Sequence, residues 1–150
     1  LPTFERSPEH GAPASGAAKG GYVLADSRTG KLDVILIATG SEVQLAVAAR
    51  DQLEAVGLGT RVVSMPCTEW FDAQPEAYRN DVLPPSVNAR VSVEAGVALG
   101  WWKYLGTHGR AVSLEHFGAS ADAATLFREF GFTPEAIAAA AQESLDATRG

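Results

Sequence analysis

The segment at residues 33–65 constrains the fold more than any other. It opens with a strand pattern at residues 33–39, whose middle is a continuous run of apolar and β-branched residues. Such a run is typical of a strand covered on both faces, as in a parallel sheet. A helical pattern and a second strand pattern, at residues 60–65, follow directly. Strand, helix and strand over this length predict a βαβ unit with parallel strands.

The helix of this unit is predicted at residues 42–56. Ser41 and Gln44 have the spacing of a capping box, which satisfies two backbone N–H groups at a helix start. Gly57 is predicted to end the helix in the left-handed conformation. One apolar stripe along the helix is formed by Ala46, Ala49, Leu53 and Val56.

Three further strands are predicted, at residues 22–24, 89–94 and 111–114. In the second of these, valines alternate with polar residues, which predicts a less buried face or a position nearer the sheet edge. Residues 68–83 are predicted to be irregular with short helices, since prolines limit helix length there. The aromatic segment at residues 100–104 is predicted to be helical.

Two helices are predicted to close the chain. The first ends at residues 126–130, with Gly131 as its stop. The second begins with Thr133 as N-cap and Pro134 as its first residue. Its apolar side is formed by Ile137, Ala141 and Leu145. The fold class is therefore α/β: a three-layer sandwich with a mostly parallel, mixed sheet of about five strands and helices on both faces.

The first 21 residues are predicted to be an interdomain linker, and residues 22–150 a domain. Residues 8–16 are dense in Pro, Gly, Ala and Ser, which bury little apolar area. The chain begins at Leu1 rather than Met, so we expect it to be processed or cut from something longer. An ordinary disordered tail is the alternative.

Composition argues against several partners. Lys and Arg number 12 against 18 Asp and Glu, a net charge of −6. Nucleic acids and anionic membranes both require a basic face, so neither is expected as a partner. Cys67 is the single cysteine, which excludes an internal disulfide and fits a reducing compartment, so we expect a cytoplasmic protein.

No catalytic, cofactor-binding or metal-binding residue is assigned from the sequence. Ser41 lacks the following glycine of a nucleophile elbow and is better explained as a helix cap. Neither a Walker loop nor a dinucleotide-binding glycine motif is present. The three histidines, His10, His108 and His116, are scattered, and Cys67 has no nearby partner, so no metal site is expected. Glu115-His116 could form an acid/base pair, although such loop pairs are more often solvated.

One candidate site follows from the predicted topology. Ligands of open parallel sheets bind beyond the carboxyl ends of the strands, and free N–H groups at a helix start favour an anion. The candidate anion or effector site is Gly40, Ser41, Glu42 and Val43. The alternative is that the glycine only lets the chain turn. A separate aromatic cluster, predicted to serve either core packing or an interface, is formed by Trp101, Trp102 and Tyr104.

Several segments, taken in order, resemble the C-terminal domain of transketolases. They are residues 19–24, 35–43, 60–66, 71–72, 78–79, 82–84, 93–96, 117–120 and 130–133. The resemblance covers essentially the whole chain, and the 78–84 and 130–133 segments make it specific. Asp122 stands where the family often has a proline that opens a helix.

The resemblance implies an enzyme that moves a two-carbon glycolaldehyde unit from a ketose phosphate to an aldose phosphate in the pentose phosphate pathway. In the full-length homodimer, the first two domains hold thiamine diphosphate and a divalent metal, Mg²⁺ or Ca²⁺, and bind the sugar phosphates. The family's Gly-Asp-Gly cofactor motif is absent here, and its phosphate-binding arginine precedes the Leu-Pro with which this chain begins. None of the family's catalytic residues therefore carries over.

The fragment is thus expected to bind no cofactor and to be inactive alone, while supporting dimer architecture and regulation. Two alternatives remain open from the sequence. One is the equivalent domain of a related thiamine enzyme, such as a 2-oxo acid dehydrogenase β subunit or deoxyxylulose-phosphate synthase, although residues 78–84 argue against it. The other is an independent anion-binding or nucleotide-binding module.

Overall fold

A five-stranded mixed sheet forms the middle layer of the computed structural model, which describes residues 11–96, 98–113, 125, 128–129 and 131–150. The strands are β1 (Tyr22–Ala25), β2 (Val34–Ala38), β3 (Thr60–Ser64), β4 (Arg90–Glu94) and β5 (Arg110–Ser113). Their order is β1-β3-β2-β4-β5. All neighbours pair in parallel except β1, which is antiparallel to β3. The predicted βαβ unit and fold class are confirmed.

Helices cover both faces of the sheet. They are α1 (Val43–Ala55), α2 (Thr68–Asp72), α3 (Glu76–Val82), α4 (Trp102–Leu105) and α5 (Pro134–Arg149), with 3₁₀ turns at Ala14–Lys19, Gly40–Glu42 and Ala98–Trp101. One core lies under α1 and α5 and includes Leu36 of β2. A second core lies under α2, α3 and α4 and includes Ile35 and Ile37. Among the described residues, no helix is long and apolar enough to cross a membrane.

The fourth strand has the position that its alternating pattern predicts, but its burial does not alternate. It lies one strand from the β5 edge, as its sequence predicts. Val91 and Val93 are fully buried, whereas Arg90 and Glu94 are half-buried. Ser92 is buried as well, so the polar face is less buried only at the two ends of the strand.

The start of α1 differs from the prediction. Ser41 does not cap the helix: residues Gly40–Glu42 form a 3₁₀ turn, and α1 begins only at Val43, without a side-chain cap. The Ser41 Oγ instead donates to the Glu42 Oε1 at 3.0 Å. The predicted capping box is therefore wrong, because the extra turn moves the serine out of the capping position.

The end of α1 agrees with the sequence in part. Gly57 has φ +84°, so the predicted left-handed stop is confirmed. Ala46, Ala49 and Leu53 are buried as predicted. Val56 is 73% exposed, so its place in the stripe is wrong; the helix ends one residue earlier and the side chain leaves the core.

The predicted start of the last helix is confirmed. The Thr133 Oγ1 accepts a hydrogen bond from the Ala136 N at 3.1 Å, and Pro134 is the first helical residue. The predicted apolar side is buried and consists of Ile137, Ala141 and Leu145. The helix predicted to end at residues 126–130 lies mostly outside the described residues.

The assignment of residues 1–21 to a linker stays a prediction. In the described part of this segment, Ala14–Lys19 form a 3₁₀ turn and Gly20 packs closely on the residues before α2. The Cys67 N donates to the Gly20 O at 3.0 Å, and a Cβ at Gly20 would lie 2.3 Å from the Cys67 O. A glycine is therefore required at this contact.

One buried hydroxyl joins α5 to the sheet. Ser144 is 0% exposed. Its Oγ accepts from the Arg90 N at 3.1 Å and donates to the His108 O at 2.6 Å. The hydroxyl thus satisfies backbone groups of β4 and of the turn before β5.

We predict that Ser144→Ala lowers the free energy of unfolding by about 1–3 kcal/mol, because it removes the hydrogen-bond partner of the Arg90 backbone N–H and one of the two described donors to the His108 carbonyl. Urea denaturation of the 150-residue chain measures this. Thr148→Ala is the control, since the Thr148 hydroxyl, among the residues that the structure describes, bonds only to the Leu145 O of its own helix. Equal losses in the two variants would contradict the role given to Ser144.

Candidate functional site

A cleft of about 340 Å³ opens at the carboxyl ends of the three central strands. Thr39 follows β2, residues 65–69 follow β3, and Glu94 ends β4. Trp101 closes the cleft from the segment before α4. Because parallel strands end at the same sheet edge, this is the position at which open parallel sheets bind ligands. We call it the strand-end cleft.

The charged groups that line the strand-end cleft are acidic. The Glu94 carboxylate accepts a hydrogen bond from the Trp101 Nε1. Glu69 accepts from the Cys67 Sγ at 3.4 Å. Its own backbone N–H and this thiol hold the pKa of the Glu69 carboxyl below its usual value. The lining residues include two carboxylates and no lysine or arginine, so the cleft suits a neutral or cationic group rather than a phosphate.

A polar contact between α2 and α4 holds the walls of this cleft. The Tyr104 Oη donates to the Asp72 Oδ1 at 2.8 Å, and the Lys103 ammonium pairs with the Asp72 Oδ2. The Trp101 and Tyr104 rings pack at 6.0 Å between centroids. Glu69 lies on α2 and Trp101 directly precedes α4, so this contact sets the distance between opposite walls.

The predicted anion site lies at the same edge of the sheet, next to Thr39. Glu42 is 5% exposed, and its Oε2 lies 3.4 Å from the position that a Cβ would take at Gly40. A carboxylate therefore occupies the helix start, where an anion would have to approach. The site at Gly40, Ser41, Glu42 and Val43 stays a prediction, which this geometry disfavours.

The three side chains of the aromatic cluster, predicted to serve core packing or an interface, do not share one environment. Trp101 and Tyr104 are buried and belong to the second core, whereas Trp102 is 48% exposed. Leu99, three residues earlier, is 83% exposed. Core packing accounts for the first two side chains only.

Among the remaining candidates, the described His108 does not line the strand-end cleft. The backbone carbonyl of His108 accepts hydrogen bonds from Ser144 and Arg110. The pair Glu115-His116, and His10, lie outside the described residues. Within the described ranges, no group of three His, Cys, Asp or Glu residues could hold a metal ion.

The sequence predicts that the strand ends form a ligand site, but it does not predict the two walls of the cleft that contain Glu69 and Trp101. Glu69 and Trp101 come from helical segments after β3 and β4, and no local pattern places them opposite each other. The available signal was their closeness in sequence to Met65, which follows β3, and to Glu94, which ends β4; these two strands flank β2 in the sheet.

An open mixed α/β sheet with helices on both faces and a cleft at its strand ends defines a class of ligand-binding and enzyme domains. Residues 20–133 match the family model described as "Transketolase-like TK C-terminal domain". The chain belongs to this family.

Similar proteins agree with the family. The chain is 61% identical to a transketolase of Mycobacterium leprae, over 91% of this chain and 20% of the relative. It is 52% identical to a transketolase of Aquifex aeolicus, over 91% of this chain and 19% of the relative. A solved transketolase of Leishmania mexicana is 44% identical, with a TM-score of 0.82, over 93% of this chain and 20% of that one. These matches favour a transketolase C-terminal domain over both alternatives left open by the sequence. The chain spans about a fifth of the length of these relatives.

We predict that Asp72→Asn destabilises the domain by about 1 kcal/mol at neutral pH, as expected for a partly exposed ion pair. Burial opposes ionisation of Asp72, but hydrogen bonds from Lys103 and Tyr104 outweigh it and lower the pKa of this carboxyl from 3.8. A lowered pKa in the folded state stabilises the fold above the ordinary pKa, and this contribution is lost as the pH falls below it.

The difference between the variant and the parent chain should therefore shrink as the pH falls below about 3.8. Urea denaturation at several pH values measures it. Asp81→Asn serves as control, because the Asp81 side chain makes no hydrogen bond within the described residues. A difference for Asp72→Asn that is constant down to about pH 2.5 would exclude the proposed ion pair.

Proposed function

We propose that the whole protein to which this chain belongs transfers a two-carbon glycolaldehyde unit from a ketose phosphate to an aldose phosphate, in the pentose phosphate pathway. The supporting observation is the 61% identity to the Mycobacterium leprae transketolase across 91% of this chain. A solved Pichia stipitis transketolase, 41% identical and in complex with sedoheptulose 7-phosphate, supports sugar phosphates as its substrates.

The strand-end cleft does not fit thiamine diphosphate, and within the described residues no group of three His, Cys, Asp or Glu side chains fits a divalent metal. A diphosphate needs positive charge or free N–H groups, whereas the strand-end cleft is lined by two carboxylates. We therefore assign the cofactor, the metal and the reacting sugar phosphates to polypeptide outside this chain. No step of the reaction is assigned to residues of the described domain.

The role proposed for this chain is architectural: it supports a homodimeric enzyme and packs against its other domains. The exposed Leu99 and Trp102 support this role, because large exposed apolar side chains close together mark interaction surfaces. The free Cys67 is consistent with a cytoplasmic protein.

A domain replacement tests the proposal. We predict that this chain can replace the corresponding C-terminal domain of the Mycobacterium tuberculosis transketolase, to which it is 61% identical. The hybrid should be dimeric by light scattering and keep activity within about tenfold of the parent enzyme. The same hybrid with Leu36→Asp, a charge in the core, is the misfolded control. A folded, dimeric hybrid without activity would contradict the assignment.

The 150-residue chain by itself is predicted to bind no thiamine diphosphate and to turn over no sugar phosphates. Calorimetry with thiamine diphosphate and Mg²⁺ and a coupled assay with a ketose and an aldose phosphate measure both properties. The full-length Mycobacterium tuberculosis enzyme at the same concentration is the positive control. Micromolar binding or turnover by the isolated chain would overturn the proposal that this domain lacks the reaction centre.

A further inference from the structure

A second cleft, of about 370 Å³, lies on the same side of the sheet as α2, α3 and α4. Its walls come from the end of α2, from α3, from the turn after α3 and from α4. It shares no lining residue with the strand-end cleft. Its volume falls in the range of small-molecule sites. We call it the side cleft.

The side cleft is positively charged although the chain is acidic. Three cationic side chains line it, Arg79, Arg90 and Lys103, against the single carboxylate of Asp72. Both oxygens of that carboxylate are already engaged, by Lys103 and by Tyr104. Three positive charges and one negative charge leave the cleft lining with a net charge of +2. The whole chain, in contrast, has a net charge of −6.

Arg90 provides a fixed charge. Its guanidinium donates to the backbone carbonyls of Val87 at 2.8 Å, Tyr104 at 2.7 Å and Pro84 at 2.8 Å, and more weakly to Leu83 at 3.4 Å. None of these partners carries a charge, and Arg90 forms no salt bridge within the described part of the chain. Since arginine stays protonated in proteins, its charge is held in place but not neutralised.

Arg79 provides free hydrogen-bond donors. Its Nε donates to the Gln74 O at 3.2 Å, which fixes the side chain at the start of α3. The two Nη groups have neither a hydrogen bond nor an ion pair with any residue that the structure describes. Two N–H groups on a planar fork match two oxygens of a phosphate, the geometry in which arginine binds such groups best.

We propose that the side cleft binds the dianionic phosphate group of a small metabolite, held by the Arg79 fork in the field of Arg90 and Lys103. Phosphate is favoured over a carboxylate because its second negative charge matches an excess of two positive charges. Free phosphate and a phosphate ester share this chemistry. The inference does not depend on the proposed enzyme activity, because it concerns a site in this domain.

Phosphate titration of the isotope-labelled 150-residue chain tests the proposal by two-dimensional ¹H–¹⁵N NMR, with chloride used to hold ionic strength constant. Addition of up to about 20 mM inorganic phosphate should shift the amides of Arg79, Asn80 and Lys103 with a millimolar dissociation constant. Arg79→Gln should weaken binding at least tenfold, about 1.4 kcal/mol, and Arg79→Lys less, since it keeps the charge but not the fork.

Arg28→Gln is the matched control, because it removes the same charge from an exposed pair with Asp51 on the α1 side. It should leave phosphate binding within about twofold of the parent chain. The melting temperature of each variant shows whether it is folded. Ribose 5-phosphate that binds at least about tenfold tighter than phosphate identifies an ester as the ligand; equal affinity identifies free phosphate.

Three results would overturn the proposal. The first is the absence of shifts around the side cleft in the folded parent chain. The second is equal weakening by Arg79→Gln and Arg28→Gln, which would indicate a response to net charge only. The third is a set of shifts confined to Gly40–Glu42 and the start of α1, which would place the anion at the helix start instead.

Discussion

Burial of β2 on both faces is the constraint on which the rest of this domain depends. All five of its residues are 0% exposed, and they alternate between two separate cores. A strand of this kind needs a neighbour on each edge and a helical layer on each face. β3 and β4 are the neighbours of β2 in the sheet. Helices α1 and α5 cover one face of β2, and α2, α3 and α4 cover the other. Parallel pairing then brings the strand ends together, which creates the strand-end cleft.

Polar contacts of Arg90 fix the positions of the helices relative to the sheet, which apolar packing alone does not determine. Arg90 stands at the start of β4 and connects both helical layers, since its backbone N–H meets Ser144 of α5 while its guanidinium reaches the turn after α3 and the end of α4. Burying a guanidinium is costly unless its donors are satisfied. Here neutral carbonyls satisfy most of them, so the side chain orders the fold and still leaves a net charge beside the side cleft.

The sequence predicts those parts of the structure that depend on local periodicity. The apolar run of β2 and the stripe of α5 depend only on neighbouring residues, and both are confirmed. The capping box failed because a serine three residues before a glutamine looks the same whether it caps a helix or lies in a preceding 3₁₀ turn. Glu69 faces Trp101, and Arg79 faces Lys103, only because α2, α3 and α4 pack on one face of the sheet. No short-range pattern encodes these pairs, so both clefts needed the structure.

The charges of the two clefts, rather than their positions, separate what each can bind. Topology favours the strand-end cleft as the ligand site, but its carboxylates at Glu69 and Glu94 oppose an anion. The side cleft has no special place in the topology, yet Arg79 and Arg90 give it the charge that a phosphate needs. A shared fold fixes where strands end, whereas side-chain chemistry decides what binds. Between the two clefts, α2 carries Glu69 toward one and Asp72 toward the other, so one short helix separates opposite electrostatic environments.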